Sequence, residues 1–141
     1  AHVVLLDPPA GPLRAYGAMT HLAWGPAELQ FAARVHAWQY DLRAQLSETY
    51  RALRAAGNAG GAELESLLRG SPDAPRPAHL AGRLVRVLDE LALVSIDRDA
   101  RILVVEQAER TQLDQSSAFR AYHQRYEVGR RWLSGQTAKA A

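Results

Sequence analysis

The stretch LVRVLDELALVSIDRDARILVVE, residues 84–106, changes period partway along. Leu80, Leu84, Val87, Leu88 and Leu91 recur at three- and four-residue spacing, which places them on one face of a helix. LVSI and ILVV, at 93–96 and 102–105, then read as two short strands around a turn at Asp97 to Ala100. A helix running into a hairpin is how a winged helix ends, and arginines sit both on the helix and at the hairpin tip. The residues around it must decide whether this shape reads DNA or docks a protein.

Upstream, Leu42, Leu46, Tyr50 and Leu53 predict a helix that ends near Gly57, with Asp41 as its expected N-cap. NAGG at 58–61 reads as a loop, ELESLLR at 63–69 as a short helix closed by Gly70, and the proline-rich SPDAPRP at 71–77 as a turn. Helix, short helix, turn, helix, hairpin is the winged-helix order, which this reading assigns to 43–106.

Further out, Val3 to Leu6 and His21 to Trp24 are short apolar runs stopped by Asp7-Pro8-Pro9 and by Gly25-Pro26. They predict a small parallel strand pair, and the link AGPLRAYGAMT has room for one helical turn. Pro26 suits a first helical position, and Phe31, Val35, Trp38 and Leu42 recur on the face of a helix that meets the next one near residue 41. After cap-type residues at 111–117, a last amphipathic helix is expected over roughly 117–133, with Phe119, Tyr122, Tyr126 and Leu133 on one face. SGQTAKAA is expected to be a mobile tail. The fold class is thus α+β, mainly α, in one domain of 1–141. Residues 1–42 form the strand pair and helix, 43–106 the winged-helix core of three helices plus hairpin, 107–134 the C-terminal helix and 135–141 the tail.

A chain of 141 residues with 48% apolar composition can bury a core of its own. It has no run of 18 apolar residues and no leader pattern, so no membrane partner and a cytoplasmic location are expected. It starts inside a strand pattern without a methionine, as an excised piece of a longer protein would. The absence of cysteine removes disulfides, thiolate metal sites and cysteine nucleophiles. The formal charge is only +2, and 17 basic residues that include a single lysine, Lys139, explain the high pI of 9.3. Residues 110–141 hold six basic and two acidic side chains, whereas 71–109 hold five basic and seven acidic ones.

VVLLD at 3–7 looks like the magnesium-bearing strand of a P-loop ATPase, but no phosphate loop accompanies it, so Asp7 reads as the end of a strand. Histidines at 2, 21, 36, 79 and 123 show no ligand spacing, and no nucleophile elbow is present. No catalytic residue, metal or cofactor is assigned. On the winged helix, Arg83 and Arg86, with Arg76 before them and Arg98 and Arg101 on the hairpin, form the candidate DNA surface. Asp89, Glu90, Asp97 and Asp99 oppose it, which favours a solvated or protein-contacting face. The last helix carries Arg120, Arg125, Arg130 and Arg131 beside Tyr122 and Trp132, a mixture suited to an acidic peptide with an apolar end. Single-stranded nucleic acid stacked on its rings is the other ligand considered there.

LLDPP at 5–9, HLAWGPAELQFA at 21–32, the segment from YRALRAAG to LDELALV, and ERTQLDQSSAFRAYHQRYEVGRRWL at 109–133 together resemble the C-terminal domain of some bacterial RecJ proteins. The resemblance covers nearly the whole chain and rests on diffuse patterns. It implies a parent that is a 5'-to-3' single-stranded-DNA exonuclease of DNA repair and recombination, using Mn or Mg in an upstream catalytic domain. The Asp-His-His motifs of that domain do not occur here. The resemblance also implies partners: the acidic tail of single-stranded-DNA-binding protein, which ends in phenylalanine with a free carboxylate, and secondarily a repair helicase. One departure is Ala92, in LDELALV, where glycine commonly ends such a helix.

Overall fold

The computed structural model describes residues 2–13, 19–106 and 111–140, and shows a mixed α+β chain that is mainly helical. Its residues divide into two compact units. A terminal unit takes residues 1–41 and 123–141, and a central unit takes residues 42–122. The first boundary falls where the sequence placed a junction, whereas the second lies inside the last helix.

In the terminal unit, β1 (His2–Leu5) and β2 (Met19–Leu22) pair in parallel, with His2 opposite Met19 and Leu5 opposite Leu22. Residues 14–18, most of the link expected to hold a helical turn, lie outside the described residues. Helix α1 (Pro26–Tyr40) starts where expected, because Pro26 lacks the amide that a first turn leaves unpaired. The Glu28 carboxylate accepts from the Gly25 N–H at 2.8 Å, and this bond lowers its pKa. The face it buries is not the expected one. Leu29, His36 and Tyr40 are buried, while Phe31 and Trp38 are 62% and 40% exposed. Apolar residues surround α1, so spacing alone could not select the inner stripe.

The central unit begins with α2 (Arg43–Ala56), which buries Leu46, Thr49 and Leu53 and ends at Gly57, φ 79°. The N-cap of α2 is Leu42, with no side-chain cap, so Asp41 does not cap this helix. Nor is NAGG wholly a loop. Ala59–Gly60 forms a two-residue strand, β3, antiparallel to the second strand of the hairpin. A Cβ on Gly60 would stand 2.9 Å from Ile102 Cγ2, so glycine lets the two backbones close up. Helix α3 (Gly61–Arg69) follows, then the proline turn, then α4 (Ala78–Glu90) with Leu80, Leu84, Val87 and Leu88 buried. Strands β4 (Val94–Asp97) and β5 (Ile102–Val105) complete a sheet of order β3-β5-β4, with Val94 opposite Val105 and Ile96 opposite Leu103. Leu42, Leu46, Leu53, Leu84, Leu88, Leu103 and Phe119 belong to one continuous core.

Ala92 ends α4 as a glycine would. Its φ is 53°, its N–H reaches Asp89 O at 2.9 Å, and the Leu93 N–H reaches Leu88 O at 2.9 Å. This pair of bonds is the Schellman arrangement, built here on an alanine held in the left-handed region.

A single 3-10 turn (Leu113–Gln115) leads into α5 (Ser117–Ala140). Residues 107–110, where the C-terminal segment was expected to begin, lie outside the described residues. The helix does not stop at 133. It continues through most of the expected tail, whose Ala138 and Ala140 have high helix propensity.

Candidate docking site

In the terminal unit, the loop after β1 and one side of α1 enclose a cleft of about 990 Å³. Pro8, Pro9, Phe31 and Val35 supply apolar wall, and the carboxylates of Asp7 and Glu28 line it together with His36, Tyr40 and Arg125. The prolines that stop β1 set one wall, since neither can donate to a further ladder bond. Phe31 and Val35, four residues apart on α1, make a continuous patch of the other.

His36 is 6% exposed, and its Nε2 lies 3.1 Å from the Tyr126 carbonyl. A carbonyl only accepts, so His36 carries its hydrogen on Nε2. Its ring packs at 5.1 Å from that of Tyr40 and 6.0 Å from that of Tyr126. Gly129 makes this possible, because a Cβ there would stand 2.2 Å from His36 Nε2. A glycine inside a helix signals such an approach, at about 1 kcal/mol of helix propensity. The Arg125 guanidinium carbon sits 5.0 Å from the centre of the Tyr40 ring, close enough for a cation–π contact. The cation at the cleft is therefore held over an aromatic face.

The six residues expected to bind a partner do not form one stripe. Arg120 and Tyr122 belong to the central unit, and Arg125, Arg130, Arg131 and Trp132 to the terminal one. Arg120 donates to the Asp114 carbonyl and, at 3.4 Å, to that of Gln115, tying the preceding turn to the helix. Tyr122 lies under Arg83, whose guanidinium carbon is 5.6 Å from the ring centre. Arg130 pairs with Glu127 at 2.8 Å, raising its own pKa and lowering that of Glu127, while Arg131 Nε reaches the Glu127 carbonyl at 3.2 Å. Arg125 and Arg130, five residues apart, point about 140° apart around α5. Trp132, seven residues from Arg125, shares its side of the helix and is half-buried. Of the six, Arg125 lines the cleft.

The arginines of the DNA-surface reading lie together in the central unit but are differently engaged. Arg86 Nε donates to Glu90 at 3.2 Å, which raises the Arg86 pKa. Arg98 and Arg101 are exposed at the hairpin tip. Arg76 leaves that surface altogether. It is 8% exposed, pairs with Glu48 at 3.0 Å, and donates to the Leu68 carbonyl at 3.3 Å beside Gly70. The proline turn folds it inward, and only a residue in another helix, Glu48, could have revealed this.

Glu90 was read as a charge opposing phosphates, but it also caps α5. Its carboxylate accepts from the Ala118 N–H at 2.9 Å, Ser116 Oγ at 2.8 Å and Ser117 Oγ at 3.1 Å. The backbone amide of Ala118 is the main reason its pKa falls to about 2. Ser116 Oγ in turn accepts from the Phe119 N–H at 3.0 Å, the bond expected of an N-cap. The sequence held a faint signal: serines open α5, yet Phe119 stands where a capping box on Ser116 would place an acid. No family model, curated protein or solved structure matches the chain.

Proposed function

We propose that this chain is a non-catalytic docking domain of a RecJ-like 5'-to-3' single-stranded-DNA exonuclease, and that it holds the nuclease to the acidic tail of single-stranded-DNA-binding protein. The segments resembling RecJ support the parent. The observation that carries the docking is the cleft of the terminal unit, where apolar wall from Pro8, Pro9, Phe31 and Val35 meets the Arg125 guanidinium. A terminal phenylalanine ring would occupy the apolar wall, and its free carboxylate would receive charge-assisted hydrogen bonds from Arg125. A repair helicase is a second partner of the same reading.

The central unit is, in this account, a winged helix acting as scaffold. Its element order and the strand order β3-β5-β4 support that assignment. The rival is a winged helix that contacts DNA through Arg83, Arg86, Arg98 and Arg101. Pairing of Arg86 with Glu90 and the acidic excess of 71–109 weigh against it.

Calorimetry with the tail peptide tests the proposal. Micromolar binding is expected, weakened at least about tenfold by Arg125→Glu and by amidation of the terminal carboxylate. Arg130→Glu, which disturbs a pair made with Glu127, should change little. Affinity indifferent to both Arg125 and the carboxylate would refute the assignment. A log-log salt slope near −3 on duplex DNA would favour the rival.

A further inference from the structure

We propose that the groove between α3, α4 and the β4–β5 hairpin is a second docking site, which takes an acidic protein segment through a single aliphatic side chain. The groove has a volume of about 290 Å³, and Leu64, Leu68, Val85 and Ile96 form its floor. Ile96 shares a side of β4 with Val94, two residues away. Val94 is 1% exposed and Ile96 is 47% exposed, so the apolar face of the sheet runs on past the core that covers its first half. Ile96 is the large apolar side chain of this unit that stands exposed among the described residues.

Arg98 and Arg101 stand at the rim, and neither side chain forms an ion pair or hydrogen bond with another described residue. The rim also carries one acid, Asp97, which is engaged within the turn. Asp97 Oδ1 accepts from the Asp99 N–H at 3.0 Å and the Ala100 N–H at 2.9 Å, so it serves the turn. Arg101 has φ 56°, in the left-handed region where hairpins of this kind place glycine. An arginine kept where glycine would be relaxed, with no ion pair or hydrogen bond among the described residues, points to a task for its side chain. Two guanidinium groups over an apolar floor fit one or two carboxylates beside an aliphatic anchor. A row of phosphates fits less well, since it would leave the apolar floor of Leu64, Leu68, Val85 and Ile96 without a partner.

Fluorescence anisotropy on the 141-residue chain tests this with a labelled peptide of three aspartates and a leucine, amidated at its C-terminus. The amide removes the free carboxylate on which the terminal-unit cleft depends. Saturable binding is expected, lowered at least about fivefold by Ile96→Ser and by Arg101→Gly, and abolished when asparagine replaces the aspartates. Arg101→Gly relaxes a strained backbone, so its melting temperature should hold or rise while binding falls, an outcome that a structural role for the side chain does not give. Arg125→Glu should leave this binding unchanged, and loss there would overturn the proposal by placing the peptide in the other cleft. No saturable binding, or equal affinity in both groove variants, would overturn it. So would a duplex oligonucleotide that binds and is released by Arg98→Glu while the peptide does not bind.

Discussion

The two units treat apolar residues in opposite ways. Of the nine large apolar side chains exposed among the described residues, eight belong to the terminal unit, from Val4 and Leu6 to Phe31, Trp38 and Val128. The continuous core that runs from Leu42 to Phe119 lies wholly in the central unit. A parallel strand pair of four residues each is marginal in water, because parallel sheets are ordinarily covered on both faces. The central unit uses its apolar residues to hold itself together, and the terminal unit holds many of its own outward. Exposed apolar surface beside a cleft is what a docking element needs and a scaffold does not.

The comparison breaks most readily under core truncation. Leu84→Ala, at a fully buried position, should cost about 2–5 kcal/mol in denaturant unfolding, whereas Phe31→Ser in the terminal unit should stay within about 0.5 kcal/mol. Equal losses would mean that Phe31 supports the fold. Next, Gly129→Ala forces a methyl group onto His36 and should cost about 1–3 kcal/mol, with amide shifts confined to the terminal unit. A smaller effect of opposite sign is expected from Ala92→Gly. It relieves the left-handed alanine at the end of α4 and should stabilise the central unit by about 1 kcal/mol.

The last test titrates one carboxyl group. Glu90 has a folded pKa of about 2, below its unfolded value near 4.5, so its contribution is complete above pH 4.5. That contribution declines as pH falls toward 2 and is absent below it. A side-chain carboxyl resonance of Glu90 should therefore titrate near pH 2, and a midpoint near 4.5 would mean that its bonds to Ala118 and Ser116 do not persist in solution.

Legibility followed the range of the interactions. Helix α4, the hairpin and Gly57 as a helix end were readable because they depend on local period and on glycine's freedom at positive φ. Strand β3 was not, because Ala59 and Gly60 become a strand only by pairing with Leu103 and Ile102. The cleft of the terminal unit was not legible for a similar reason. Phe31 and Val35 read as an inner face, and it is burial of His36 and Tyr40 that turns Phe31 outward. Arg125 was readable as a cation on an aromatic-rich helix, but its seat over Tyr40 was not.

The most direct test of the proposal that the terminal unit docks a partner and the central unit serves as scaffold is a residue-resolved NMR titration with the acidic tail peptide of single-stranded-DNA-binding protein. The account predicts saturable shifts at Phe31, Val35 and the Arg125 side chain, with Leu84 and Leu88 unmoved. Shifts confined to Arg83, Arg86 and the hairpin, with Phe31, Val35 and Arg125 unmoved, or no saturable shift at all, would contradict it.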